Sequence, residues 1–246
     1  MSFHDREERI LEILQQRYSI RSSELAKLLY VSVSTLRRDL QKMEEKNIIT
    51  KEHGMCKLNL HMKESRLDNS AWTKNGKEKA KIAKRASEQV KDGYNIMLDG
   101  SGSAYSMIPF LVESRDLLII TNSAKVSCAL SETNIHNIST GGKLVNESAS
   151  FVGQEAVKAI KNYNADIVFF SCRGLSEDGY LTDTNKEQND VRAEMMKYAD
   201  KKVALIDSSK IGKKYLHNLC HVSEVDEIIC DEELPEYLLK MMKKTY

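Results

Sequence analysis

The amino-acid sequence predicts an α/β chain in two parts: a winged helix-turn-helix over residues 1–60 and a larger, mostly parallel α/β domain over residues 76–246. Three observations carry that prediction. Residues 31–54 read as an amphipathic helix with a basic outer face running into a basic hairpin. From Lys77 onward, short apolar runs rich in β-branched residues alternate with segments of helical period, the pattern of a parallel sheet covered on both faces. Between them, residues 61–75 are polar and aperiodic, as an interdomain connection is. Trp72, the only tryptophan, is expected to anchor that connection on a domain surface.

Taken in order, Ile10, Ile13 and Leu14 form a first apolar stripe, and Leu25, Ala26, Leu28 and Leu29 a second. The short turn Tyr30-Val31-Ser32 sets the next helix at an angle to the second, which gives helix-turn-helix. Ser32 is placed to cap that third helix, and Leu36, Leu40 and Met43 recur at its buried stripe. At 100° per residue the opposite face carries Ser34, Arg38 and Gln41, flanked by Arg37 and Lys42. Arginine and glutamine make bidentate contacts to base edges in the major groove, and lysine neutralises phosphates. Residues 48–54 and 57–60 follow as a β-hairpin wing. The expected DNA-contacting set is therefore Ser32, Ser34, Thr35, Arg37, Arg38, Gln41, Lys42, Lys51 and His53. The competing reading is a small helical dimerisation module whose Arg37 and Arg38 are merely solvated; the combined spacing of helices, turn and wing favours DNA.

Composition bounds the rest. With 246 residues, 41% hydrophobic and 30% charged, the chain suits one small and one medium soluble domain. A net charge of +1 excludes a whole-molecule polyanion binder, so the DNA site must be a local patch. Residues 1–62 hold 11 Lys/Arg and 9 Asp/Glu, a net of +2, with Arg37, Arg38, Lys42, Lys46, Lys51 and Lys57 gathered on helix and wing. Five scattered cysteines without a C-x-x-C, and the absence of a signal peptide or long apolar run, lead us to expect a reducing cytoplasm and no membrane. No metal and no cofactor are expected: the histidines lack ligand spacing, and His217 and His221, four apart, have no acidic partner to complete a site.

In the second part a helix is expected over 77–91, and strands at 95–98, 117–121, 166–170, 202–206 and 225–230, with a further apolar stretch near 135–139. Helices are expected near 124–131, 151–162, 187–199 and 233–243. Ligands of such sheets bind beyond the carboxyl ends of the strands. There the chain places Asp99-Gly100-Ser101-Gly102-Ser103, two glycines and two hydroxyls before a helix start, the makings of a phosphate cradle. Neither a Walker loop nor a Rossmann fingerprint is present. Pro109 is awkward for the helix expected to follow, since it deletes a hydrogen bond and kinks it. Other strand ends bring Thr121 and Asn122, Gly141 and Gly142, Arg173, and Asp207-Ser208-Ser209-Lys210. Lys210 and Arg173 are the cations best placed for a phosphate, with surface charge as the alternative. Asp99 and Asp207 could accept sugar hydroxyls, or simply cap turns. Together these residues suggest a pocket for a small phosphorylated polyol.

These residues resemble the DeoR family of bacterial transcription regulators over essentially the whole chain. The resemblance rests on Val31-Ser32-x-x-Thr35-Leu36-Arg37-Arg38-Asp39-Leu40, His53-Gly54, Asp99-Gly-Ser-Gly-Ser103, Thr121-Asn122, Gly141-Gly142, Gly153 and Asp207-Ser-Ser-Lys210. It implies a winged helix-turn-helix joined to a sugar-phosphate sensor, with a fold similar to ribose-5-phosphate isomerase and glucosamine-6-phosphate deaminase. It further implies an oligomeric repressor, dimer or tetramer, whose grip on double-stranded operator DNA changes when a sugar phosphate binds. The chain departs from the family pattern at Met55, where glycine is usual, at Ser103, where threonine is usual, and at Gln188 and Arg192, where glutamate and lysine are usual. Two alternatives stand beside this reading. One is a sugar-phosphate isomerase or deaminase with a DNA-binding appendage, with Asp99, Asp183 or Glu187 as general base. The other is a regulator whose second domain only oligomerises.

Overall fold

A computed structural model describes residues 6, 7, 9–11, 13, 14, 19–45, 49–52, 54–58 and 75–242. His53, Lys46 and the 61–74 connection with Trp72, all singled out above, lie outside the described residues. The chain divides into two compact units, Met1–Ser70 and Ala71–Tyr246.

In the first unit a helical stretch carries the buried Ile10, Leu11 and Leu14. It is followed by β1 (Ser19–Arg21), α1 (Ser22–Leu28), α2 (Val33–Glu45), β2 (Ile49–Glu52) and β3 (Met55–Leu58). The helix-turn-helix turn closes with Val31 N–H donating to Ala26 O, and Tyr30 takes the left-handed conformation, φ 54°. Ser32 caps α2 as expected, its Oγ accepting from Thr35 N at 3.1 Å. Leu36, Leu40 and Met43 face a core shared with Leu25, Ala26, Leu29, Ile49 and Cys56. Leu28, expected on the second buried stripe, is instead exposed. β2 and β3 form the expected hairpin wing, and β1 adds a third strand to it in the order β1-β3-β2. β1 pairs its Ile20 with Cys56, and Gly54 at φ +77° makes the hairpin turn while accepting from Ser22 N.

The second unit starts with α3 (Gly76–Ser87) and then β4 (Asn95–Leu98), α4 (Gly102–Tyr105), α5 (Ile108–Leu111), β5 (Leu118–Thr121), α6 (Ala124–Leu130) and β6 (His136–Ser139). A small hairpin, β7 (Lys143–Val145) and β8 (Ser150–Val152), precedes α7 (Gln154–Ile160) and β9 (Ala165–Phe170). After β10 (Gly174–Leu175) and β11 (Tyr180–Asp183) come α8 (Lys186–Lys197), β12 (Ala199–Ile206), β13 (His217–His221), β14 (Glu227–Cys230) and α9 (Glu236–Met242). Six of these strands form one sheet, β14-β12-β9-β4-β5-β6, parallel throughout. Alternate residues feed two cores. Ile96, Leu98, Ile119, Phe169 and Leu205 pack under α3 to α6, and Met97, Ile120, Val168, Phe170 and Ile206 under α7 and α8. Burial on both faces is why the strands read as continuous apolar runs.

Two expectations are corrected. The segment 151–162 is not helical from its start: Phe151 and Val152 end β8, and Gly153 at φ +92° turns the chain into α7. Pro109 does not kink a helix. The chain breaks after Tyr105, and Pro109 sits in the first turn of α5, where no intrahelical N–H is missed. The β10-β11-β13 antiparallel sheet and the β7-β8 hairpin, none of them anticipated, fold over one end of the main sheet.

Candidate functional sites

On the first unit, α2 presents Arg37, Arg38, Gln41 and Lys42 to solvent. Its 13 residues span about 20 Å, long enough to lie in a major groove about 12 Å wide. Ser32, Ser34 and Thr35 gather at its start, with Ser32 Oγ 2.9 Å from Ser34 Oγ and 2.8 Å from Thr35 Oγ1. Behind this face Asp39 is buried, held by Arg6 Nε at 2.7 Å and Arg6 Nη2 at 3.1 Å. This bidentate pair fixes the rotation of α2 against the preceding helical stretch. Lys51, expected to hold phosphate, pairs with Glu44 across helix and wing at 2.7 Å. The pair is half-exposed and weak, so a phosphate can compete for the ammonium.

In the second unit the chain runs from β4 outward to β5 and β6, then returns to β9 on the other side of β4. The two neighbouring strands whose connections leave in opposite directions mark the switch point of the sheet, where a crevice opens beyond the carboxyl ends. A cavity of about 500 Å³ lies there. Its floor is Gly100–Ser103 after β4 and Ser171–Arg173 after β9; one wall is Asp207, Ser209 and Lys210 after β12, faced by Asn75 and Lys79 of α3. The opposite wall is Ser148 of the β7-β8 loop with Asp183, Gln188 and Arg192.

That second wall is charge-closed. Arg192 donates from Nε to Asp99 Oδ2 at 2.8 Å, from Nη1 to Asp183 Oδ2 at 2.9 Å and to Asn189 Oδ1 at 3.2 Å, and from Nη2 to Gln188 Oε1 at 3.3 Å. Burial opposes its charge, but Asp99 and Asp183 hold the guanidinium pKa above its ordinary value. Gln188 spends its amide N–H on Ser148 Oγ at 2.7 Å.

The first wall is cationic. Lys210 donates to Ser171 Oγ at 2.8 Å and pairs with Asp207 at 3.3 Å. Burial pushes the Asp207 carboxyl up, and Lys210, Ser209 and Asn75 together outweigh it and bring the pKa below the usual value. Lys79 is also buried; desolvation, then the neighbouring Lys210, lower its pKa to about 8 against the pull of Asp207. Both lysines line the cavity, and Lys210 is the one paired with Asp207. Ser103 lines the same cavity, is buried, and its Oγ has no hydrogen-bond partner among the described residues. Cys172 is no nucleophile: burial pushes its thiol up to about 11.

Of the residues expected to hold a ligand, the structure brings Gly100, Ser101, Gly102, Ser103, Arg173 and Lys210 to the cavity. Asp99 stands behind it. Fully buried, it accepts from Ser101 N, Ser171 N and Arg192, so its oxygens are spent on shaping the floor rather than on sugar hydroxyls. Thr121, Asn122, Gly141 and Gly142 do not line the cavity. Thr121 Oγ1 accepts from Ser123 N, and Asn122 donates to Phe151 O at 2.9 Å, tying β8 to the end of β5. Gly141 and Gly142 turn at φ +61° and +115°, and a Cβ on Gly142 would stand 2.7 Å from Val152 O. The phosphate-cradle helix is one turn long, with Ser101 as its cap, accepting from Ala104 N.

A family model described as the DeoR C terminal sensor domain matches residues 74–232, and one described as the DeoR-like helix-turn-helix domain matches residues 6–61. The chain belongs to the DeoR family. It is 34% identical over 241 residues to the uncharacterised HTH-type transcriptional regulator YulB of Bacillus subtilis, covering 97% of this chain and 93% of that one. It is 29% identical over 235 residues to the lactose phosphotransferase system repressor of Staphylococcus epidermidis, covering 94% and 93%. Ribose 5-phosphate isomerase A of Methanocaldococcus jannaschii superposes with a TM-score of 0.43 at 22% identity, covering 56% of this chain and 55% of that one. Family and relatives make this DeoR chain a helix-turn-helix transcriptional regulator rather than an enzyme. No helix among the described residues is long and apolar enough to cross a membrane.

Sequence reasoning missed Asn75 and Lys79, the α3 side of this DeoR cavity, because they fall at the end of a polar connection and in a helix with many lysines. Lys79, on the same helix stripe as Ile82, Ala83 and Ala86, carried the available signal: a lysine at an apolar position.

Proposed function

We propose that this regulator represses a sugar-metabolism operon and releases its operator when a phosphorylated sugar enters the cavity at the switch point. Arg38 and Gln41 read base edges; Arg37, Lys42 and Lys51 hold DNA phosphates. The sugar phosphate group lies against Ser101–Ser103, Lys79 and Lys210, and its hydroxyls face Gln188 and Asp183. The observation that carries the reading is the convergence in one cavity of Lys79, Lys210 and the Ser103 hydroxyl, which has no hydrogen-bond partner among the described residues. A dianion is the ligand such a set favours, because Arg192, already matched by Asp99 and Asp183, leaves the rest of the pocket suited to neutral polyol. A cytoplasmic homo-oligomer fits this role, since one reading helix per chain needs a second copy to read two half-sites.

The test is fluorescence anisotropy of the full chain on its own upstream duplex against a scrambled one, across a panel of sugar monophosphates. One compound should abolish the preference for the native duplex, and Lys210→Ala and Ser103→Ala should each raise the concentration needed. A native preference that no sugar phosphate disturbs would overturn the effector half of the proposal.

A further inference from the structure

We infer that Asn75 is the positioning residue through which occupancy of the cavity reaches the 61–74 connection, and so the DNA-binding unit, an inference that rests on the effector reading above. Three features of Asn75 converge. Its backbone is left-handed, φ 61° and ψ 41°, a conformation asparagine tolerates when its short amide is locally bonded. That amide donates to Asp207 Oδ1 and to Ser209 Oγ, both at 2.9 Å. Its carbonyl accepts from Lys79 N at 3.0 Å, so the same residue begins α3. Asn75, Lys79, Asp207, Ser209 and Lys210 all line the cavity.

The groups that accept from Asn75 are therefore the ones a ligand must rearrange. Asp207 takes Asn75 and Ser209 on one oxygen and Lys210 on the other. An anion beside Lys210 draws that cation toward itself and leaves Asp207 with fewer claims on it. Ser209, whose hydroxyl now serves Asp207, becomes a donor available to the anion. Either change alters the anchorage of Asn75, and residue 74 is bonded to it directly. On the opposite wall Arg192 is held by Asp99, Asp183, Asn189 and Gln188, none of them adjacent in sequence to the 61–74 connection. A ligand controls DNA only through a difference in how it meets two states, and the Asn75 clamp supplies an element with a made and an unmade state.

Hydrogen–deuterium exchange of the full chain with inorganic phosphate as probe, against chloride at equal ionic strength, tests this. Asn75→Gly keeps the left-handed backbone and removes only the amide. Phosphate should slow exchange over 99–103 and 207–213 in both proteins. It should change exchange across 61–75 several-fold in the wild type and leave that segment unmoved in the variant. An equal response of 61–75 in wild type and variant, or none in the wild type despite protection of the cavity, overturns the role of Asn75 and leaves the effector reading standing. No protection of the cavity in either protein overturns both.

Discussion

Raising the pH from about 7 to about 9 should weaken sugar-phosphate binding roughly tenfold, with Lys79 as the cause. In the empty cavity its ammonium titrates at about 8, burial and then Lys210 having lowered it from 10.5. At pH 7 it is mostly charged, and at pH 9 it is about nine-tenths neutral. A sugar phosphate loses its second proton near pH 6, so it is dianionic throughout this window. Beside that dianion the ammonium is favoured again, and a return toward its ordinary pKa makes binding take up a proton. Above pH 8 the affinity then falls by close to a factor of ten per unit, about 1.4 kcal/mol by pH 9. The unliganded protein responds in the opposite sense. Folding lowers this pKa, so below pH 8 the charged group carries its full burial penalty in the native state. The penalty is relieved as pH rises from 8 toward 10.5, a gain of up to about 3 kcal/mol in stability. Isothermal titration in phosphate-free buffers at three pH values measures the slope, and Lys79→Arg is the control, because a guanidinium stays charged across the range. Among the described residues no histidine lines the cavity, and the Cys172 thiol, pushed up to about 11, is silent there. A wild-type affinity that is flat in pH, or a Lys79→Arg variant with the same slope as wild type, would refute the reasoning.

Three further outcomes are expected. Arg192→Leu strands the buried carboxylates of Asp99 and Asp183 and should cost about 3–5 kcal/mol in urea unfolding; a loss under about 1 kcal/mol would mean the triad does not hold the floor. Gly100→Ala sets a Cβ 1.8 Å from Ser150 Oγ and 2.7 Å from its Cβ, a clash worth about 1–3 kcal/mol that Ser150→Gly in the same chain should largely restore. Arg38→Ala should cut discrimination between native and scrambled duplex by about 1–3 kcal/mol, whereas Lys51→Ala weakens both duplexes alike. Because Lys51 already shares its charge with Glu44, the salt dependence of binding should fall by less than about one phosphate contact, as read from anisotropy at several salt concentrations.

The reading helix was legible because cap, apolar stripe and basic face agree within one short stretch, and the six sheet strands because double burial leaves little but apolar residues. What escaped were three-residue strands such as β1, β7 and β8, too short for any period, and the β10-β11-β13 sheet, whose residues are mixed in polarity. Strand ends told which edge of the sheet holds the site but not which loops close over it. Thr121, Asn122, Gly141 and Gly142 therefore read as ligand contacts, although Asn122 fastens β8 to the end of β5, Thr121 accepts from Ser123 N, and Gly141 and Gly142 make a turn. Asp99 misled for a different reason. A carboxylate at a strand end looks like an acceptor for ligand until its partner, Arg192, arrives from a residue 93 positions later. Gln188 and Arg192, picked out as departures from the family pattern, are direct hydrogen-bond partners within that network.

The cavity is thus built from two unequal walls, and the inequality sets where binding energy can act. Around Arg192 each strong donor meets a buried carboxylate or amide, an arrangement that costs several kcal/mol to disturb and so transmits nothing to a ligand of ordinary affinity. Around Asp207, Lys210, Ser209 and Asn75 compete for a single carboxylate, so small changes in cavity charge redistribute its partners. On the proposed function, specificity for hydroxyl pattern falls to the Arg192 wall, whose donors are already matched by buried acceptors. On the proposed function, response falls to the Asp207 wall, because it includes Asn75, the residue next to the 61–74 connection. A substitution in the Arg192 wall should accordingly change which sugar phosphate binds while preserving the link to DNA. One in the Asp207 wall should preserve the preference and sever the link.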